Sequence, residues 1–397
     1  MAHSYVRRGG VVRRLSPGSS IPRVCPLPIR CSLSAVAAVL AVGSLLLLSG
    51  CQKTSIPLPA APSASADADR DELCRRIDAA LAYARDRRLL DASVHGAWQV
   101  VHGILAFGAE LPLATAEGRT QALPYLLGGG GLTGWRIRPA AEGLLATIDE
   151  GSTTGQGHPD QWLGYLSQCG AAGLPIDTPI EVAGRMFTLR DLLTQAQADI
   201  RPGREATWTL MALAAWLPTD ASWTSSDGRS WSVEDVVAME AGADIDDSAC
   251  GGAHRLYGLL KAVQAHRQAL HPQGAADAGL SGGWAAAQAR IDDLIERARR
   301  YQQPDGGFSI HFFQRPGNSP DVFARLGATG HVFEVLAVAL NDDRLAEPWV
   351  TRAAMRLVVL LEQTADVDVE CGALYHAAHG LLLYRQRICG SSLAAGE

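Results

Sequence analysis

A chain of 397 residues, 47% hydrophobic and 19% charged, can bury a large core and is excluded from the disordered and fibrous classes. Its formal charge is −6, but the first 50 residues carry six arginines and no acid, so the remainder holds 29 basic against 41 acidic residues, a balance of −12. So acidic a body offers no phosphate-neutralising patch, which argues against nucleic acid as a partner.

Arg7, Arg8, Arg13, Arg14, Arg23 and Arg30 precede the apolar run 35–48. That run is short for a bilayer span and has the basic-then-apolar layout of a secretory signal. It ends in Leu48-Ser49-Gly50-Cys51, which resembles a bacterial lipobox. The resemblance implies removal of residues 1–50, lipidation of Cys51 and a membrane as partner through that anchor. Gln52 stands where inner-membrane lipoproteins carry aspartate, which implies the cell envelope at the periplasmic face of the outer membrane. The Pro/Ala/Ser composition of 51–70 predicts an extended tether, and the folded domain is expected over 71–397. Beyond Cys51 the body keeps Cys74, Cys169, Cys250, Cys371 and Cys389 in a compartment that permits disulfides. Five is odd, so one at least is free or a ligand. Cys74 with Cys389 would staple the two ends of the body and Cys250 with Cys371 is another pairing; spacing alone leaves the choice open.

Helical periodicity appears in the windows 72–89, 92–107, 139–148, 160–169, 189–199, 204–216, 233–241, 248–266, 284–301, 328–340, 348–363 and 370–387, with almost no period-two alternation between them. Amphipathic, charged helices alternate with helices apolar nearly all round, as expected where one set keeps a solvent face and the other is buried. Six outer and six inner helices in this order predict an all-α fold, an α/α toroid whose inner helices are parallel and open their N-termini at one mouth.

The turn Gln302-Gln303-Pro304-Asp305-Gly306-Gly307-Phe308 resembles the Q-x-x-D-G-[SG]-[WF] turn of squalene–hopene-type terpene cyclases and protein prenyltransferase β subunits. The likeness covers the body by architecture and this turn by motif. It implies a pocket at the N-terminal mouth of the inner helices.

The densest chemistry lies in 244–260, where Asp244-Ile245-Asp246-Asp247 runs into a helical pattern opened by Ser248 as N-cap, with Cys250 and His254 on one face. The acidic letters resemble the D-x-D-D-[TS]-A motif of class II terpene cyclases, which implies Asp246 as a protonated acid flanked by Asp244 and Asp247. Such chemistry needs neighbouring carboxylates and burial to hold one proton. It also needs aromatic walls for cations, and only 6% of this chain is aromatic. An acidic helix start that complements the helix dipole accounts for the same letters.

Other inner helices also begin with histidine or cysteine beside small residues: His95, with His102 seven residues on; His331; and Cys371, Tyr375, His376 and His379. Parallel helices would bring these to one mouth. Resemblance to the zinc site of protein prenyltransferases implies Asp247, Cys250 and His376 as ligands. Resemblance to lanthionine-cyclase-like toroids implies Cys250, Cys371 and His376 or His379. Thiolate, imidazole and an open fourth position are the donor set of catalytic zinc; packing histidines and a Cys250–Cys371 bridge compete with both. The expected function is a metal-assisted enzyme on an envelope lipid, polysaccharide or small molecule. A non-catalytic binding or scaffolding toroid and a class II-type cyclase are the alternatives.

Overall fold

A computed structural model describes residues 64–86, 88–149, 160–169, 173–246, 248–271 and 279–390, all within the unit running from Ala61 to Glu397. The signal segment, Cys51 and Asp247 lie outside the described residues.

The described chain is helix-rich. Its helices are α1 (Ala64–Asp86), α2 (Ala97–Phe107), α3 (Ala122–Leu127), α4 (Gln161–Gln168), α5 (Leu189–Asp199), α6 (Thr207–Trp216), α7 (Val233–Gly242), α8 (Ala253–Leu270), α9 (Gly282–Arg300), α10 (Val322–Ala339), α11 (Asp342–Leu345), α12 (Pro348–Gln363) and α13 (Cys371–Ile388). The expectation of almost no strand is corrected. A short β1 (Leu90–Asp91) pairs with the hairpin β2 (Pro112–Thr115) and β3 (Gly118–Gln121). Three more antiparallel hairpins follow: β4 (Trp135–Pro139) with β5 (Leu144–Ile148), β6 (Pro179–Val182) with β7 (Arg185–Thr188), and β8 (Ser222–Thr224) with β9 (Ser230–Ser232).

Two of these hairpins run straight into helices whose starts are built by capping boxes. Thr188 with Asp191 opens α5, and Ser232 with Asp235 opens α7; each pair satisfies backbone N–H groups that the first helical turn leaves without partners. The segment 139–148, expected as a helix, is the end of β4, a turn and β5. Its apolar residues pack one strand face against α5 rather than a helical stripe. At the other boundary α1 already begins at Ala64, so 64–70 is helical rather than extended tether.

Packing separates the helices into two sets. α9 buries Trp284, Ala287, Ile291, Leu294, Ile295 and Ala298 along one stripe and exposes Glu296, Arg299 and Arg300, the pattern of a helix with one face in water. α10, by contrast, buries every residue from Ala328 to Ala337. It is the one described helix long and apolar enough to cross a bilayer, but it packs against α8, α12 and α13 as a core helix. The buried helices touch in a closed circuit: α2 meets α4, then α6, α8, α10 and α13 follow in turn, and α13 returns to α2. The amphipathic α1, α5, α7, α9 and α12 lie against members of this circuit.

Two covalent or polar devices hold the ends together. Cys74 on α1 is bridged to Cys389 just after α13, closing 315 residues of sequence. The Gln302–Phe308 turn is a brace: Gln302 donates to the carbonyls of Gly306 (3.0 Å) and Trp349 (2.8 Å). Asp305 accepts from Gly307 N (3.1 Å) and pairs with Arg325 and Arg356. The turn thus ties the end of α9 to the starts of α10 and α12.

Candidate metal centre and buried histidine cluster

The segment that leads into α8 is not the continuous helix expected from Ser248. Asp244 Oδ1 accepts from Asp246 N (2.9 Å), and Ser248 Oγ donates to Asp244 O (2.7 Å) instead of capping a helix. Cys250 (φ 50°), Gly251 (φ 58°) and Gly252 (φ 83°) then take left-handed backbone in succession, and α8 starts only at Ala253. Glycine is required at both later positions: a Cβ on Gly251 would lie 2.3 Å from the Phe312 ring and one on Gly252 2.0 Å from Ile245. At Cys250 a side chain accepts that conformation at a cost of about 1 kcal/mol.

This distorted turn aims the thiol at two helices. Ligand atoms of Cys250, His254 at the start of α8 and His331 in the middle of α10 all lie within 4.8 Å of one another. Cys250 is free and accessible to solvent, while both histidines are buried. His331 Nδ1 faces the Gly327 carbonyl at 2.7 Å, which leaves Nε2 for the cluster. Fixing one ring nitrogen on a carbonyl is how proteins orient metal-binding imidazoles.

Beyond these three residues the interior stays polar. The His376 ring lies 4.0 Å from His331, 4.9 Å from His254 and 5.2 Å from His102, centroid to centroid. Tyr165 Oη is 3.3 Å from His102 Nε2 and 3.4 Å from His376 Nε2, and Gln161 donates to that hydroxyl at 3.1 Å. His102 Nδ1 is held by the Trp98 carbonyl at 2.6 Å. One carboxylate serves the group: Glu334 Oε2 meets His376 Nδ1 at 2.8 Å and Oε1 meets His379 Nδ1 at 2.6 Å. Its position depends on close backbone packing, since a Cβ on Gly380 would lie 2.9 Å from the Glu334 Cα.

So many imidazoles around one carboxylate cannot all be protonated. Burial, reinforced by His376, holds His102 well below the usual histidine range, and burial lowers His376 despite Glu334. Burial would push Glu334 toward its neutral form, but His376 and His379 outweigh it and hold the carboxyl well below its ordinary value. His331 goes the other way. Burial pulls it down, yet the hydrogen bond and charge of Cys250, with the Gly327 carbonyl and Glu334, raise it to about 9.

The residues singled out from sequence divide accordingly. Cys250, His254, His331, His102, His376 and His379 are brought into one connected interior, with His331 rather than Cys371 completing the thiol-bearing trio. Cys371 is free, so no Cys250–Cys371 bridge forms; burial, with Glu370 and Asp368, pushes its thiol up to about 12. Tyr375 is buried against Phe107, with its hydroxyl unpartnered among the described residues. His95 sits in the turn before α2, where its Nδ1 accepts from Asp91 N at 2.9 Å. Asp244 and Asp246 are exposed, whereas the cyclase reading calls for a buried acid at Asp246.

Three functional groups escaped the sequence reading: Glu334, Tyr165 and Gln161. Glu334 had a signal, since it is the lone charge in the apolar run His331-Val332-Phe333-Glu334-Val335-Leu336. A buried carboxylate persists only when paired.

Comparison with known proteins gives no match among protein families, curated proteins or solved structures.

Proposed function

We propose that this chain is an exported, lipid-anchored α/α-toroid protein and a metal-assisted enzyme of the cell envelope, acting on a lipid or polysaccharide. The observation that carries the reading is the convergence of Cys250, His254 and His331 within 4.8 Å. A thiolate and two imidazoles, one of them oriented by a backbone carbonyl, are a donor set that would hold zinc. Zinc in such a position supplies a Lewis acid and an acidified water. Around it the chain supplies His376, whose Nδ1 is fixed by Glu334 so that Nε2 faces the cluster, with the Tyr165 hydroxyl 3.4 Å from that nitrogen. These groups are placed to receive and return a proton. The closed circuit of apolar helices supports the toroid, the basic-apolar-Cys51 layout supports export, and the Cys74–Cys389 bridge suits an oxidising compartment.

A second reading rests on the approach of the Cys250 thiol to the His331 imidazole, within 4.8 Å. An accessible thiol before the first turn of an 18-residue helix and beside a base is also the arrangement of a cysteine nucleophile. Elemental analysis of the purified full chain separates the two. About one equivalent of zinc, lost in Cys250→Ser and in His331→Ala, is the expected result. A chain that holds no transition metal after incubation with zinc, while Cys250 alkylates rapidly and His331→Ala slows that alkylation, would replace the metal reading with the nucleophile.

A further inference from the structure

On the far side of Glu334 from the cysteine lies a cavity of about 450 Å³, inside the range of about 300–1,000 Å³ that small-molecule sites occupy. It forms where the C-terminal parts of α4, α6, α8, α10 and α13 meet, and it shares only His379 with the histidine cluster. Its wall is unusually polar for a space between apolar helices. Lys261 lines it and has no partner among the described residues, while Arg387 at the rim is already paired with Asp342 and with the Ala337 carbonyl. Among the described residues, no aspartate or glutamate lines the space. Gln264 and Gln168 spend their amide N–H groups on the carbonyls of Val338 (2.9 Å) and Met211 (3.2 Å), which leaves their Oε1 atoms as acceptors.

We infer that this cavity is a second ligand site, built for a small polyhydroxylated monoanion of the sugar-acid type. Three features specify that class. The half-buried ammonium of Lys261 is one uncompensated positive charge, and a single carboxylate neutralises it; burial already lowers its pKa for want of such a partner. Gln168 and Gln264 line the cavity with amide oxygens that no described donor engages, and such oxygens accept from hydroxyl groups. One ammonium neutralises one negative charge, so a dianion such as a phosphate ester would keep a buried charge without a partner. The site does not depend on the metal reading, because none of its charged groups belongs to the Cys250 cluster.

Lys261 and Lys53 are the two lysines of the sequence, so amine acylation followed by peptide mass spectrometry reads the cavity with an internal reference. The full chain is acetylated with and without D-glucuronate, glucose or glucose 6-phosphate. The expected result is concentration-dependent protection of Lys261 by glucuronate, with Lys53 unchanged and both neutral and phosphorylated sugar at least tenfold weaker. Calorimetry on Lys261→Met should show glucuronate binding at least tenfold weaker than wild type, with Lys261→Arg recovering part of it. Absence of protection at millimolar glucuronate, equal protection of Lys53, equal protection by glucose, or stronger protection by glucose 6-phosphate would each overturn the assignment.

Discussion

Two neighbouring regions of the helical core build opposite interiors. Around His102, Tyr165, His376 and Glu334 each polar atom finds another within hydrogen-bond reach, and the small void among Tyr165, His254, Glu334 and His376 has no room for a water molecule. Directly beside it, and sharing His379, α8 and α13 leave a 450 Å³ cavity in which Lys261 touches no counter-charge among the described residues. A closed polar network fixes geometry because every member is costly to leave unsatisfied. An open one with an unspent charge is arranged for something that arrives. The difference teaches where rigidity was bought and where affinity was left in reserve.

The largest effect expected from breaking the first region is that of Glu334→Ala. It strands the two Nδ1 groups of His376 and His379 in a buried site and should cost about 3 kcal/mol or more in urea unfolding. A loss below about 1 kcal/mol would mean that the network is not closed. Next is Gly380→Ala, whose Cβ would press on the Glu334 backbone at 2.9 Å. A destabilisation of about 1–3 kcal/mol is expected, together with a change in any activity that depends on His376. The smallest and most graded effect is that of acid. His102 is held well below its ordinary value of 6.5, so the unfolded chain takes up its proton first. Its contribution to stability is complete above 6.5 and declines as pH falls below it. Glu334, also depressed from 4.5, adds a further loss at lower pH. Urea midpoints should therefore fall as pH drops below about 6.5, whereas His331, raised to about 9, contributes stability that is complete below 6.5 and declines as pH rises toward 9; the expected profile has its maximum near pH 6.5, and midpoints that do not fall below that pH would show His102 to be solvated. Lys261→Met offers the contrast, since removing an unpaired ammonium that burial disfavours should leave stability unchanged or raised.

Much of the framework was legible in the sequence. Eleven of the expected helical windows correspond to helices, because a 3.6-residue apolar stripe, or an apolar run bounded by Gly, Pro and caps, is a local signal. The failure at 139–148 has a physical cause: Leu144, Leu145, Ala146 and Ile148 suit a helix face as well as a strand, and only pairing with β4 decides. The hairpins at Gly118-Arg119, Gly184-Arg185 and Gly228-Arg229 are too short for period two to stand out. In the site, histidines were readable one helix at a time. His331 was expected in the pocket and Cys371 among the ligands, whereas the structure groups His331 with Cys250 and His254, because which side chains meet depends on helix rotation, which no letter encodes.

What the sequence determined by itself is the list of buried helices, the chemistry they carry and the layout of the first 51 residues, since composition and periodicity are properties of the chain alone. What only the tertiary structure decided is which of those groups meet. The left-handed turn at Cys250, the close approach of Gly380 to Glu334 and the joint use of one carboxylate by two imidazoles arise from contacts between residues far apart in sequence. Such contacts are fixed by packing at the scale of single methyl groups, a scale at which hydrophobic pattern carries no information.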